Sequence, residues 1–140
     1  MTDPRPRQDD DPLRVLGVDA DDRVRESLTG LLVIGGRCMV VASSGEVGEA
    51  LALAQARTPD LVIIDPRLPD VADGMTLIAR LRAQQPDVRI VAMGWSDSLG
   101  SDVLQLGADG YLRKTFRPTE LVKAVLAAAR RDAGPTAQSA

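Results

Sequence analysis

Residues 61–69 read Leu61-Val62-Ile63-Ile64-Asp65-Pro66-Arg67-Leu68-Pro69, and this stretch decides the fold class. Four consecutive apolar residues, three of them β-branched, predict a strand that is buried on both faces, as strands of parallel sheets are. Asp65 closes that strand. Because ligands of open α/β sheets bind beyond the carboxyl ends of the strands, a carboxylate at this point is a candidate site residue. The alternative is that Asp65 only initiates a turn, since two prolines follow it.

Apolar runs and helical periodicities alternate along the chain on both sides of this stretch. Strands are predicted over about residues 13–18, 38–42, 61–64, 90–93 and 110–112. Helical spacing of apolar residues follows each strand, centred on about residues 24–32, 47–54, 75–81, 96–106 and 118–129. Five strand and helix pairs in strict alternation predict an α/β fold of the flavodoxin-like, doubly wound (βα)5 type. The expected sheet has five parallel strands in the order 2-1-3-4-5.

Local signals indicate where the predicted helices begin and end. Gly35 and Gly36 should stop the first helix, and the tetrapeptide Ser43-Ser44-Gly45-Glu46 is typical of a capping box that opens the second. Asp73 is the expected cap of the third helix, and Pro118 the start of the last.

Length and composition are those of one domain. The chain has 140 residues, of which 44% are hydrophobic, enough to fill a single core. We expect the domain over residues 13–131, with disordered tails at 1–12 and 132–140. The polar start has no apolar leader, which favours a cytoplasmic protein. A formal net charge of −3 argues against a broad basic surface for direct nucleic-acid binding, and no apolar run is long enough to cross a membrane.

The side chains available for chemistry are few. Histidine is absent, which excludes Ser-His-Asp and Cys-His nucleophile pairs and every histidine metal site. The single cysteine, Cys38, has no internal partner for a disulfide, and its apolar neighbours predict that it is buried. Any chemistry therefore depends on carboxylates or lysine.

Three charged residues follow predicted strands at one rim of the sheet: Asp19 after the first, Asp65 after the third and Lys114 after the fifth. In the expected order, strands one and three are adjacent at the topological switch point, so the two acids should face each other, while Lys114 approaches from the far edge. Such a set suits a phosphoryl site: one acid as nucleophile, one helping to hold a divalent cation, and lysine neutralising phosphate oxygens. Taken singly, Asp19 is typical of a helix cap and Lys114 of a solvated surface.

The chain resembles the receiver domain of two-component response regulators over about residues 13–129. The resemblance is carried by Val15-Leu16-Gly17-Val18-Asp19, Leu61-Val62-Ile63-Ile64-Asp65, Arg67-Leu68-Pro69, Asp73-Gly74 and Gly107-Ala108-Asp109-Gly110-Tyr111-Leu112-Arg113-Lys114. It implies a non-enzymatic signalling relay whose phosphoryl group comes from a sensor histidine kinase or a phosphotransfer protein.

The same resemblance implies roles for individual residues. Asp65 would be the phosphoacceptor, and Lys114 would contact the phosphate. Asp19, Asp65 and the backbone carbonyl of Arg67 would hold Mg²⁺. Tyr111 would lie on the output surface, and Gly94 occupies the position of the family's switch residue.

The chain departs from the receiver pattern around the expected site. Ala20 stands where receivers carry a second acid, so Mg²⁺ binding should weaken unless Asp21 or Asp22 reaches inward. Gly94 replaces the usual threonine or serine, which leaves no side chain to move and report occupancy. The loop 69–74 is one residue longer than the usual spacing in receivers between that proline and the aspartate-glycine pair. Thr115 replaces the usual proline, so a trans bond is expected before it.

Three functions remain open from the sequence. The first is a stand-alone phosphorylatable receiver, whose output is contact with a downstream protein, with helix four, strand five and helix five as the candidate surface for that partner or for a homodimer. The second is a receiver-like binding or oligomerisation module that works without phosphate. The third is a phosphatase of the haloacid dehalogenase type, suggested by Asp19-Ala20-Asp21 after a strand, although Arg23 departs from that pattern.

Overall fold

A computed structural model describes residues 11–114 and 117–129 of the chain. Residues 1–10 of the expected N-terminal tail, the whole expected C-terminal tail 132–140 and the bond before Thr115 lie outside the described residues. The elements in chain order are β1 (Leu13–Val18), α1 (Asp22–Leu32), β2 (Cys38–Ser44), α2 (Val47–Arg57), β3 (Leu61–Ile64), α3 (Val71–Gln84), β4 (Arg89–Gly94), α4 (Gly100–Gln105), β5 (Gly110–Arg113) and α5 (Pro118–Ala128).

The sheet has five strands, all parallel, in the order β2-β1-β3-β4-β5. This confirms the predicted flavodoxin-like fold class and strand order. β1 and β3 are direct neighbours at the point where the order reverses, and Val18 pairs with Ile64 in their register. The carboxyl ends of these two strands therefore lie side by side, which positions whatever follows each strand.

The sheet separates two layers of core, and β3 contributes to both. Val62 and Ile64 pack on the side that includes residues of α2 and α3, whereas Leu61 and Ile63 pack on the side that includes residues of α1 and α5. All four side chains are at most 1% exposed. Because neighbouring residues of a strand point to opposite faces, a strand covered on both sides must be apolar throughout, as residues 61–64 are. Each such burial contributes about 1.5–3 kcal/mol.

The start of α3 differs from the prediction. Asp70, and not Asp73, is the N-cap, and its carboxylate accepts a hydrogen bond of 3.0 Å from the backbone amide of Asp73. Residues 71–74 accordingly form the first turn of the helix and are not part of an extended loop. Both aspartates satisfy the local capping preference, but only Asp70 stands three residues before an amide that needs an acceptor.

The predicted capping box before α2 was also wrong in detail. Ser44 ends β2, and Glu46 occupies the N-cap position without a side-chain hydrogen bond of its own. The Ser44 hydroxyl accepts from the Glu46 amide at 3.1 Å and donates to the Glu49 carboxylate at 2.6 Å. The acid that closes this turn is therefore Glu49, because the strand continues two residues further than expected.

The fourth helix is shorter than predicted and begins at Gly100, not near Ser96. The segment before it forms a turn in which the Gly100 amide donates to the Asp97 carbonyl at 3.1 Å. Serine hydroxyls and aspartate carboxylates compete for backbone groups, so residues 96–98 favour this turn over helix. Other expectations are confirmed: Cys38 is 3% exposed, and α1 ends before Gly35 and Gly36, which both have positive φ.

Candidate functional site

Asp19, Asp65 and Lys114 each continue a strand of the sheet by one backbone hydrogen bond. The amide of Asp19 donates to the Ser44 carbonyl at 3.1 Å. The amide of Asp65 donates to the Val18 carbonyl at 2.9 Å, and that of Lys114 donates to the Gly94 carbonyl at 2.8 Å. Because these bonds extend the regular ladder, the positions of the three Cα atoms are set by the sheet and not by flexible loops.

The three side chains meet in one pocket. Lys114 Nζ lies 2.8 Å from Asp19 Oδ2 and 2.6 Å from Asp65 Oδ2. The side chains of Lys114, Asp19 and Asp65 are only 4%, 5% and 8% exposed. The structure thus brings together the residues that the sequence placed at one rim, with the ammonium group between two buried carboxylates.

The second oxygen of each carboxylate is held by the backbone two residues further on. Asp19 Oδ1 accepts from the amide of Asp21, and Asp65 Oδ1 accepts from the amide of Arg67, both at 2.9 Å. Both aspartates therefore form the same local turn, and each presents its other oxygen to Lys114. These bonds orient both carboxylates towards Lys114.

The electrostatic balance of the pocket depends on Lys114. Burial alone lowers the pKa of this ammonium group, but the hydrogen bonds and charges of Asp19 and Asp65 outweigh burial, so that its pKa is raised above 10.5. Lys114 is accordingly charged throughout the physiological pH range. Lys114 supplies one positive charge against the two negative charges of Asp19 and Asp65. One negative charge is left uncompensated, which favours binding of a further cation.

Neither acid that could replace the one missing at Ala20 does so. Ala20 itself is exposed. Asp21 is the N-cap of α1, and its carboxylate accepts from the amides of Arg23 and Val24. Asp22 pairs with Arg25 and is 83% exposed. Within the described residues there is no group of three or more His, Cys, Asp or Glu side chains that could hold a metal ion.

Tyr111 reaches across from β5 to Gly94 at the end of β4. A Cβ atom built on Gly94 would collide with the hydroxyl oxygen of Tyr111, so the hydroxyl occupies the space of an absent side chain. That hydroxyl also donates a hydrogen bond to the backbone carbonyl of Ser96. Burial raises the pKa of Tyr111, against a lowering by the nearby Arg67 and with a further rise from Asp65.

Trp95 and Arg67 lie at the mouth of the pocket, and sequence reasoning gave neither side chain a role in the site. Lys114 Nζ lies 5.1 Å from the centroid of the Trp95 ring, within the range of a cation–π contact. Arg67 Nη1 lies 3.6 Å from the position that a Cβ on Gly94 would take. The one signal for Trp95 in the sequence is its place directly after β4. For Arg67, the family resemblance implies a role of the backbone carbonyl alone.

Gly74 in the first turn of α3 explains the Asp73-Gly74 pair in physical terms. A Cβ built on Gly74 would overlap the backbone of Pro66, which directly follows the acceptor candidate Asp65. The helix can approach the β3–α3 connection this closely only with glycine at this position. Gly74 therefore allows α3 to pack directly against the residue that follows Asp65.

Residues of α4 and β5, two elements of the expected output surface, divide between core and exterior. Val103 is fully buried, whereas Leu104 is 49% exposed and Tyr111 is partly buried. Trp95 adds a further exposed aromatic side chain, at 55%.

The fold and the pocket together define a doubly wound α/β domain with a buried acid pair and a lysine at its switch point. The family model of the response regulator receiver domain matches residues 15–126. The chain belongs to this family, and it is a receiver domain of two-component signalling. Receiver domains are generally signalling modules, typically bind Mg²⁺ at the phosphorylation site, and interact with histidine kinases or phosphotransfer proteins.

Individual relatives agree with this assignment. The chain is 36% identical over 115 residues to the DNA-binding transcriptional activator DevR/DosR of Mycobacterium tuberculosis, covering 81% of this chain and 52% of that protein. It is 39% identical over 128 residues to the transcriptional regulatory protein PrrA of the same organism, covering 90% and 53%. The chain thus spans about half the length of the curated relatives it matches.

A solved structure shows the same fold. The signal receiver domain of the response regulator NarL from Mycobacterium tuberculosis superposes with a TM-score of 0.79 at 32% identity, covering 86% of this chain and 98% of that one.

The dehalogenase hypothesis is not supported, because Asp21, the second acid that it needs, caps α1. Among the described residues, no helix has the length and apolar character to cross a membrane.

Proposed function

We propose that Asp65 is the phosphoryl acceptor of this receiver. The observation that carries the proposal is the buried Lys114 ammonium group, which lies 2.6 Å from the Asp65 carboxylate and 2.8 Å from that of Asp19. In the transfer, a carboxylate oxygen of Asp65 attacks the phosphorus of a phosphohistidine on a sensor kinase or phosphotransfer protein. The P–N bond breaks, an acyl phosphate forms, and the histidine leaves.

Each neighbour has a part in this proposal. Lys114 stays charged and offsets the negative charge of the incoming phosphoryl oxygens. The amide of Arg67 holds the second oxygen of Asp65, so that the carboxylate is oriented for attack. Asp19 keeps Lys114 in place from the other side.

The two carboxylates of the site are enough to hold Mg²⁺, although they are one fewer than receivers usually have. Mg²⁺ is commonly held by one or two carboxylates and keeps several waters, so Asp19 and Asp65, with the backbone carbonyl of Arg67, are the ligands we propose. The cation would supply charge neutralisation for the phosphoryl group. Because Ala20 adds no third carboxylate, we propose weak metal binding.

Membership of the receiver family supports the partners that we propose. We propose a histidine kinase or phosphotransfer protein as the phosphoryl source, a cytoplasmic location and no enzymatic activity of its own. We propose a downstream protein as the output partner, bound through α4, β5 and α5. The formal net charge of −3 supports contact with protein over direct contact with nucleic acid.

Incubation of the chain with Mg²⁺ and acetyl phosphate, followed by intact mass measurement, tests the acceptor role. We expect one added phosphoryl group that hydroxylamine removes, as it removes acyl phosphates. Asp65→Asn should abolish the addition, whereas Asp87→Asn, at an exposed surface position, should leave it unchanged. Incorporation that survives Asp65→Asn, or none in the unaltered chain, would overturn the proposal.

A second function is favoured by one observation, the Tyr111 hydroxyl in the space beside Gly94. With no side chain at residue 94 to respond to phosphate, the chain would act as a binding module in one fixed state. Equal affinity of a captured downstream partner for the unaltered chain, the phosphorylated chain and Asp65→Asn would support this function. A several-fold difference in affinity would exclude it.

A further inference from the structure

Tyr111 and Gly94 fit each other across two neighbouring strands. In the parallel register of β4 and β5, Tyr111 pairs with Ala92, and Gly94 lies two residues further along β4 on the same face. A Cβ built on Gly94 would collide with the Tyr111 hydroxyl oxygen and lie 3.4 Å from the ring carbon that bears it. Because both residues are in the sheet, the fit is set by strand pairing.

The same tyrosine contacts the segment that leaves β4. Its hydroxyl donates to the Ser96 carbonyl, in the turn between β4 and α4. Its ring lies beside Gly100, the first residue of α4, where an added Cβ would make ordinary van der Waals contact at 3.6 Å. One side chain therefore spans the strand end, the turn and the start of the helix.

We propose that Tyr111 is a fixed strut: it fills the space at Gly94 and holds the β4–α4 turn, so that the surface with Trp95 and Leu104 keeps one conformation whether or not Asp65 is phosphorylated. Only the last clause rests on the acceptor role proposed above. Gly94 offers just its amide and its carbonyl, and the carbonyl is already bonded to the Lys114 amide. A switch that works through side-chain rotamers at residue 94 is therefore absent, because glycine has no side chain to take two positions.

A double-mutant cycle tests the fit between the two residues. Gly94→Ala should lower the thermal unfolding midpoint, because the Tyr111 hydroxyl must leave this space and give up its hydrogen bond to the Ser96 carbonyl. In a Tyr111→Phe background the same change should lose most of this effect, since the ring without its hydroxyl leaves ordinary contact distance. Gly17→Ala, in β1 with nothing within 4 Å of the added Cβ, is the matched control.

Equal destabilisation by Gly94→Ala in the unaltered chain and in the Tyr111→Phe background would overturn the strut. If Gly94→Ala alone does not fold, folding of the double variant gives the same answer as the cycle. Failure of both variants to fold would count against the proposal, because removing the hydroxyl should relieve the collision.

Tyr111 is the only tyrosine, so its ionisation can be followed by ultraviolet absorbance. In the unaltered chain we expect titration above the ordinary pKa of 10.0, and in Gly94→Ala a shift back towards it as the phenol moves into solvent. An unchanged titration in a folded Gly94→Ala variant would contradict the strut.

The last clause is tested with beryllofluoride and Mg²⁺, with binding measured by fluorine NMR and the Tyr111 ring observed by NMR of tyrosine-labelled protein. We expect bound fluoride without a shift of the ring signals. Bound fluoride with shifted ring signals would overturn the claim of one conformation. Absence of bound fluoride would count against the acceptor role of Asp65, while the strut would still be decided by the cycle and the titration.

Discussion

Lys114 Nζ lies 2.6 Å from Asp65 Oδ2, and both side chains are more than nine-tenths buried. The pair holds the end of β5 against the end of β3 although β4 lies between them. The two residues can touch across the intervening strand because the long side chain of Lys114 extends from the edge strand β5 along the carboxyl ends of the strands. The stability of the rim and the charge of the site therefore depend on the same residue.

Replacing Lys114 with methionine should destabilise the domain strongly. The change leaves Asp19 and Asp65 buried without a counterion, and removal of one partner of a buried ion pair costs about 3–5 kcal/mol. Urea denaturation at neutral pH measures the loss. Lys123→Met is the control, because Lys123 is the other lysine of the chain and is exposed on α5. Similar stabilities of the two variants would show that the positive charge of Lys114 does not contribute to the stability of the domain.

Replacing Ala20 with aspartate should strengthen Mg²⁺ binding by roughly tenfold or more, because affinity for hard cations rises with the number of ligand charges. Without metal the variant should be less stable than the unaltered chain, since a third carboxylate repels the other two. Isothermal titration measures the affinity. Ala52→Asp, at an exposed position of α2, controls for the added charge. Tight Mg²⁺ binding by the unaltered chain, with no gain in the variant, would contradict the expectation.

The sequence predicted that Asp19, Asp65 and Lys114 lie together at one rim of the sheet, but it did not predict the contact of Tyr111 with Gly94 beside them. Asp19, Asp65 and Lys114 directly follow apolar strands, and the order of parallel strands is enough to bring such residues together. The contact of Tyr111 with Gly94 depends on a side-chain rotamer and on the course of residues 95–99, which follow no periodic pattern. Local sequence rules contain no information on either.

The start of α3 shows the same limit within the fold. Asp70 and Asp73 both fit the local rule for a helix cap, and the rule alone does not decide between them. The close approach of Gly74 to Pro66 requires residue 74 to lie within the first helical turn. A contact between two segments therefore settles a boundary that neither segment determines alone.

Alkaline pH should weaken the domain through Tyr111 and Lys114. Both pKa values are raised in the folded chain, from 10.0 and 10.5. The stability that goes with each raised pKa is fully present below the unfolded value and is lost as the pH rises through the folded value. Each group lowers the free energy of unfolding by at most about 1.4 kcal/mol per pH unit in that window.

Urea denaturation at about pH 9 and pH 11 measures this loss. Tyr111→Phe should show a smaller difference between the two pH values than the unaltered chain, because one of the two groups no longer titrates. Equal stability of the unaltered chain at both pH values would contradict the raised pKa values.

Gly74→Ala should be among the most destabilising single substitutions in the chain. The added methyl group would overlap the Pro66 carbonyl, which is backbone and has no rotamer to move away, so α3 or the connection after Asp65 must shift. We expect a loss of about 3 kcal/mol or more, at the upper end of what overpacking costs. Gly30→Ala, in α1 with nothing within 4 Å of the new Cβ, should instead stabilise by about 0.5–1 kcal/mol. Urea denaturation of both variants decides, and a Gly74→Ala variant as stable as Gly30→Ala would mean that α3 does not press against the loop that follows Asp65.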